Sequence, residues 1–254
     1  MKDVFVKTAN HGRIHVLEEG QGPALLLLHS NGNSAYEYEE LMNCLAGRFK
    51  TVAIDFPGHG DSDPLPRHYG VNDYADAVIE CLNCLGFSKA GVLGSSIGGA
   101  VCVDLGVRYP QRIERLFIVE APVRTSEEWR QRWLATEYSY SQVTQGEEQV
   151  RPRLRRLTPE ILQRWNIDRN KAGAWTMTDV MWALREFDIL SSIPKVDAST
   201  TVIYGSKTPH PHALGVFERE LPSARRVQMP DCGHFPMLDD PERLAEEIAA
   251  SYAN

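Results

Sequence analysis

An apolar stretch ending at Leu93 runs into Gly94-Ser95-Ser96-Ile97-Gly98-Gly99, which fits the pattern G-x-S-x-G with Ser96 at its centre. A serine held on a sharp strand-to-helix turn projects its Oγ from the sheet edge, and glycines two positions to either side let neighbouring backbone pass close by. A serine hydroxyl is a poor nucleophile at neutral pH, so acyl-transfer chemistry requires an imidazole that takes its proton and later hands it to the leaving group. His234, in Asp231-Cys232-Gly233-His234-Phe235-Pro236 near the C-terminus, follows the serine in the chain order such a base would have. Taken alone, the pentapeptide is also compatible with a tight connection or a phosphate cradle, and a single histidine after a strand with a packing role.

The surrounding elements must hold these groups at one edge of a sheet. An N-terminal strand pair (near residues 4–6 and 14–17) and the continuous apolar run 24–29 are followed by a helical pattern over 36–45 and a strand over 51–55. A helix over 72–85 closed by Gly86, a strand over 90–93, a helix over 97–109 stopping before Pro110 and a strand over 115–119 continue the alternation. No strand pattern occurs between Pro122 and Pro194. The rhythm resumes with strands over 200–204 and 226–229 around a helix over 213–221, and Pro241–Tyr252 is an amphipathic helix. The expectation is an α/β fold, a mostly parallel eight-stranded sheet flanked by helices, with residues 1–121 and 194–254 as the core domain and 122–193 as an inserted helical cap.

Four further segments resemble the α/β-hydrolase superfamily over nearly the whole chain outside the cap. His29-Ser30-Asn31-Gly32 is similar to its oxyanion loop, with Ser30 in place of the usual first glycine, and Asp55-Phe56-Pro57-Gly58-His59-Gly60-Asp61-Ser62 is similar to its Asp-x-Pro-Gly-x-Gly-x-Ser turn. Gly233-His234 resembles the segment that supplies the base, and Asp239-Asp240-Pro241-Glu242 the start of the terminal helix. The resemblance implies Ser96 as nucleophile, His234 as base, and the backbone N–H groups of Asn31 and Ile97 as oxyanion donors. The side chain of Ser30 or Asn31 would assist there or cap the following helix. Where relatives usually carry the triad aspartate, this chain has Thr208. Glu120, directly after the strand over 115–119, is the favoured replacement, as in certain haloalkane dehalogenases and zearalenone-type resorcylic lactonases; the lactonases pair it with serine. Asp188 and Asp197 are weaker alternatives, and a salt bridge at the mouth of the site is the other reading of Glu120. Serine at the nucleophile position disfavours dehalogenase and epoxide-hydrolase chemistry.

All five tryptophans, Trp129, Trp133, Trp165, Trp175 and Trp182, fall within 122–193. Helical spacing points the pairs Trp129/Trp133 and Trp175/Trp182 towards the core, either as packing or as the lining of an aromatic substrate pocket. Trp129, Trp133, Trp175 and Trp182, with Ser30, are therefore the candidate substrate contacts. The basic run Arg151-Pro152-Arg153-Leu154-Arg155-Arg156 has the composition of a solvated face, and His210-Pro211-His212 that of a surface turn.

Lys and Arg total 27 against 34 Asp and Glu, a net charge of -7, which disfavours nucleic acid and anionic membranes as partners. With 43% hydrophobic and 24% charged residues, a sizeable core is available. The lack of a long apolar segment at the N-terminus or elsewhere leads to the expectation of a cytoplasmic protein without membrane association. Cysteines 44, 81, 84, 102 and 232 lack metal-site spacing beyond one CxxC, so reduced thiols, no metal and no cofactor are expected. The expected partner is a small-molecule substrate, with a homodimer compatible with the sequence. The leading expectation is a serine hydrolase cleaving an ester or lactone of a bulky, partly aromatic substrate. Carbon–carbon bond hydrolysis of vinylogous diketones and a slowly turning-over signal receptor are the alternatives.

Overall fold

The computed structural model describes residues 1–253. Eight strands form one sheet: β1 (Lys2–Lys7), β2 (Arg13–Glu19), β3 (Ala24–Leu28), β4 (Lys50–Ile54), β5 (Ala90–Ser95), β6 (Ile113–Val119), β7 (Thr200–Gly205) and β8 (Arg225–Met229). Their order is β1-β2-β4-β3-β5-β6-β7-β8, with β1, β2 and β4 joined antiparallel and the pairs from β4 to β8 parallel. Strand β3 shows why its sequence is uniformly apolar. Leu26 and Leu28 enter one hydrophobic core and Leu25 and Leu27 the other, as the two-residue period of a strand covered on both faces requires. Strand β6 divides in the same way, Leu116 and Ile118 to the first core and Phe117 and Val119 to the second.

The first core is covered by α2 (Val71–Cys84), α3 (Ile97–Arg108) and α8 (Ala213–Glu220), and the second by α1 (Glu39–Leu45), the short α9 (Pro236–Asp239) and α10 (Pro241–Tyr252). Asp240 accepts a hydrogen bond from the N–H of Arg243 at 3.2 Å and Pro241 opens α10, which fixes the start of that helix. Between β6 and β7 the chain is helical: α4 (Ser126–Ser141), α5 (Glu147–Val150), α6 (Pro159–Glu186) and α7 (Ile189–Ser192). The long α6 is broken at Gly173, whose φ of 74° and ψ of 160° lie outside the helical region. No helix among the described residues is long and apolar enough to cross a membrane.

The loop after β4 is built around Asp55, whose carboxylate accepts from His15 Nδ1 at 2.8 Å, the N–H of Ala35 at 2.6 Å and the N–H of Asp61 at 2.8 Å. A Cβ on Gly60, which has a φ of 54°, would lie 1.9 Å from the Asp55 carboxylate, so the glycine is a steric requirement of the turn. Burial by itself would lower the His15 pKa, but the bond to Asp55 and its charge outweigh this and raise it.

Candidate active site

Ser96 stands between β5 and α3 with φ 56° and ψ -112°, a backbone conformation uncommon for a non-glycine residue. The flanking glycines are required by contact. A Cβ on Gly94 would sit 2.0 Å from the carbonyl oxygen of Gly98, and one on Gly98 2.2 Å from that of Leu28. The G-x-S-x-G spacing thus permits a turn tight enough to lift Ser96 out of the sheet at its carboxyl edge.

Glu120 follows β6 directly, also at positive φ (50°), and is fully buried. Its Oε1 accepts from the N–H of Gly205 at 2.7 Å, and its Oε2 accepts from the Thr208 hydroxyl at 2.5 Å and faces His234 Nδ1 at 3.1 Å. A buried ionised carboxylate requires such partners. The backbone N–H of His234 donates to the carbonyl of Arg153 at 2.8 Å, so a residue of the segment between β6 and β7 helps to set the loop that carries His234. With Nδ1–H directed at the carboxylate, Nε2 retains the basic lone pair of the imidazole. Ser96 and His234 line one cavity of about 260 Å³. Thr208, a departure from the usual aspartate, supports the Glu120 carboxylate as a hydrogen-bond donor. Asp188 caps α7, accepting from the N–H of Ser191 at 3.1 Å, and Asp197 lies at the opposite end of the sheet domain in a groove with Lys89 and Ser199.

The loop after β3 sits beside this turn, because Leu28 pairs with Gly94 across the sheet. Ile97 opens α3, where the first N–H groups have no intrahelical acceptor. The Asn31 side chain is held from two sides: Nδ2 donates to the carbonyl of Met177 in α6 at 2.8 Å and Oδ1 faces His59 Nε2, in the loop after β4, at 3.3 Å. His29 holds the loop base, donating from Nδ1 to the carbonyl of Ser30 at 2.7 Å and accepting at Nε2 from the N–H of Phe56 at 2.9 Å. That pattern is a neutral ring, and burial pushes the His29 pKa down. Ser30, expected to contact substrate, is instead buried, its hydroxyl donating to Glu37 at 3.2 Å and lying 3.0 Å from Ser95 Oγ.

Glu37 gave no signal in the sequence. It is buried and accepts from Ser30 N–H at 3.0 Å and from Asn33 Nδ2 at 2.5 Å, bracing the whole loop. Burial pushes its carboxyl from 4.5 up to about 7. The unfolded chain therefore releases this proton at lower pH than the folded protein, and stability falls as pH rises from 4.5 to about 7, then levels. Glu37→Gln removes the titration. Its stability relative to wild type is expected to improve by about 2 kcal/mol between pH 5 and pH 8 in denaturant unfolding; a difference independent of pH would contradict the assignment.

The aromatic pocket expected from the cap is not what surrounds Ser96. Trp129 is buried under the guanidinium of Arg124, 4.8 Å from its ring centroid, and Trp133 packs on Trp182 at 4.2 Å with Arg185 against both rings. Trp175 is 58% exposed and Trp182 37% exposed. None of the four lines the cavity, because the face of α4 turned to it carries Arg132, Thr136, Ser139 and Tyr140. Arg153, expected on a solvated face, also lines it, and His210, expected in a surface turn, is buried with its ring 5.4 Å from that of His234. Burial, with His234 and the guanidinium groups of Arg124 and Arg132 nearby, pushes the His210 pKa down to about 2. Spacing could not reveal these contacts, which depend on how the cap docks.

Among the described residues, Glu120, His210 and His234 form one group that could hold a metal ion, and His15, Asp55 and Asp61 another. In each, the central carboxylate already accepts three hydrogen bonds from protein donors. Both arrangements are accounted for by these donors.

Residues 23–241 match the alpha/beta hydrolase fold family. The chain belongs to that family. The pimeloyl-[acyl-carrier protein] methyl ester esterase of Nitrosomonas europaea is 27% identical over 257 residues, covering 91% of this chain and 96% of the relative. An uncharacterized protein of Mycobacterium tuberculosis is 35% identical over 102 residues, and this chain covers only 30% of its length. Among solved structures, a hydrolase from Pseudomonas aeruginosa superposes with a TM-score of 0.84 at 21% identity over 100% of this chain and 99% of that one, a likeness of fold.

Proposed function

We propose that this alpha/beta hydrolase is a cofactor-independent serine hydrolase that cleaves a carboxylic ester or lactone through an acyl-enzyme on Ser96. The observation that carries the reading is the buried Glu120–His234 contact of 3.1 Å, set beside a serine held in a strained turn on the same cavity. In this mechanism His234 Nε2 takes the Ser96 proton as Oγ attacks the carbonyl, and the N–H groups of Ile97 and Asn31 stabilise the resulting oxyanion. The imidazolium, oriented and stabilised by Glu120, then protonates the departing alkoxide, and water repeats the sequence to release the acid. Similarity to a methyl ester esterase along most of both chains supports an ester bond as the target. A lactone is the same functional group closed into a ring, and the strand-six position of Glu120 supports keeping it in the substrate class. Bulky aromatic substrates lose the support that a tryptophan lining would have given.

Rapid mixing with excess 4-nitrophenyl ester is expected to give a nitrophenol burst of about one equivalent per chain when deacylation is the slower step. Mass spectrometry of the quenched protein should place the acyl group on the peptide containing Ser96. A folded protein that acylates at no residue and turns over neither simple esters nor a resorcylic macrolactone would reject the proposal.

A further inference from the structure

The cavity walls carry an unbalanced charge. Elsewhere between β6 and β7, five arginines sit against carboxylates: Arg130 with Glu127, Arg151 with Glu147, Arg155 with Asp240 at 3.9 Å, Arg156 with Glu40 at 2.5 Å and Arg164 with Asp168 at 2.8 Å. Arg169 donates instead to the carbonyls of Ser139 and Gln142, and Arg185 lies on the Trp133 and Trp182 rings. Arg124, Arg132 and Arg153 line the cavity of Ser96 and His234 and form no ion pair among the described residues. Glu128, whose charge reaches Arg124, is committed to the N–H and hydroxyl of Thr125 at 2.8 and 3.0 Å as a helix cap. In a chain of net charge -7, guanidinium groups without carboxylates gathered at one concavity make it attractive to an external anion.

Two of the three are preorganised. Arg124 is half-buried against the Trp129 ring at 4.8 Å, and Arg153 packs its guanidinium 5.9 Å from the Trp165 ring centroid while its carbonyl holds the His234 backbone. A stacked guanidinium presents a fixed fork that matches a planar carboxylate. Arg132, solvent-exposed on the face of α4 that lines the cavity, completes the group.

We propose that the substrate is an ester bearing a free carboxylate, which Arg124, Arg132 and Arg153 bind while Ser96 attacks the ester carbonyl; this rests on the serine-hydrolase reading above. The test compares mono-4-nitrophenyl adipate with 4-nitrophenyl hexanoate, which share the reacting bond and differ in the terminal charge. The wild-type kcat/KM ratio, charged over neutral, is expected to exceed ten at low ionic strength and to shrink with added salt. In Arg124→Gln, and in Arg132→Gln at the more exposed position, the ratio should collapse towards one. A wild-type ratio near one, or parallel losses on both esters, would overturn the proposal. If neither ester turns over, titration calorimetry with adipate decides the present proposal independently of the catalytic reading. Binding weakened at least tenfold in Arg124→Gln supports it, and absence of binding to the wild type overturns it.

Discussion

Ser96→Ala is expected to lower kcat/KM on any ester the protein turns over by about 10⁴- to 10⁶-fold, the scale on which removal of a triad serine acts elsewhere. The loss should appear without a change of fold. Ser96 is buried at the mouth of α3, and alanine has the same Cβ, so the positive φ of 56° costs no more after the substitution than before. The Glu120–His234 contact does not involve the serine and should persist. Residual turnover would come from the oxyanion donors and the positioning of substrate, which are backbone features the substitution leaves in place. A variant that keeps a tenth or more of the wild-type rate would show that the hydroxyl is not the attacking group.

Glu120→Gln is expected to reduce kcat by about 10⁴-fold, since an amide neither stabilises the imidazolium nor fixes the tautomer with Nε2 unprotonated. Glutamine still offers one oxygen to the Gly205 N–H, now 2.7 Å from the carboxylate, so the buried backbone donor is not orphaned. Thr208→Val is the companion. It removes the hydroxyl that donates to Glu120 at 2.5 Å and accepts from the His210 N–H at 3.0 Å, and is expected to cost about tenfold, close to the value of one hydrogen bond to a charged acceptor. The hierarchy of the two losses, measured with thermal unfolding as a control, separates the acid from its support. Equal losses, or a larger one for Thr208→Val, would return the acid role to another residue.

Much of the sheet and the serine turn was legible in the sequence because both are governed by local rules. The run Ala24–Leu28 has to be a strand covered on two faces, and Gly94 and Gly98 are forced by atoms 2.0 and 2.2 Å from where a Cβ would be. Glu120 could be named because a carboxylate at the end of an apolar strand demands a partner, and the structure places Gly205, Thr208 and His234 around it. The cap resisted the same treatment. Its helical character follows from the lack of strand patterns, but which face of α4 meets the core depends on how that segment docks. Helical spacing leaves packing and pocket lining both open for the tryptophans; Trp133 and Trp182 pack on each other at 4.2 Å, and arginines occupy the wall. Glu37 was invisible for a related reason: seven residues separate it from Ser30, and only the fold of the loop turns it inward to 3.0 Å.

The central claim is that Ser96 is an activated nucleophile, and covalent labelling with a fluorophosphonate tests it without any knowledge of the substrate. The expected result is a single phosphonyl adduct on the peptide containing Ser96, absent from Ser96→Ala and formed far more slowly in His234→Ala and Glu120→Gln. Labelling confined to another residue, or a folded wild-type protein that stays unmodified under conditions that label known serine esterases, would contradict the account.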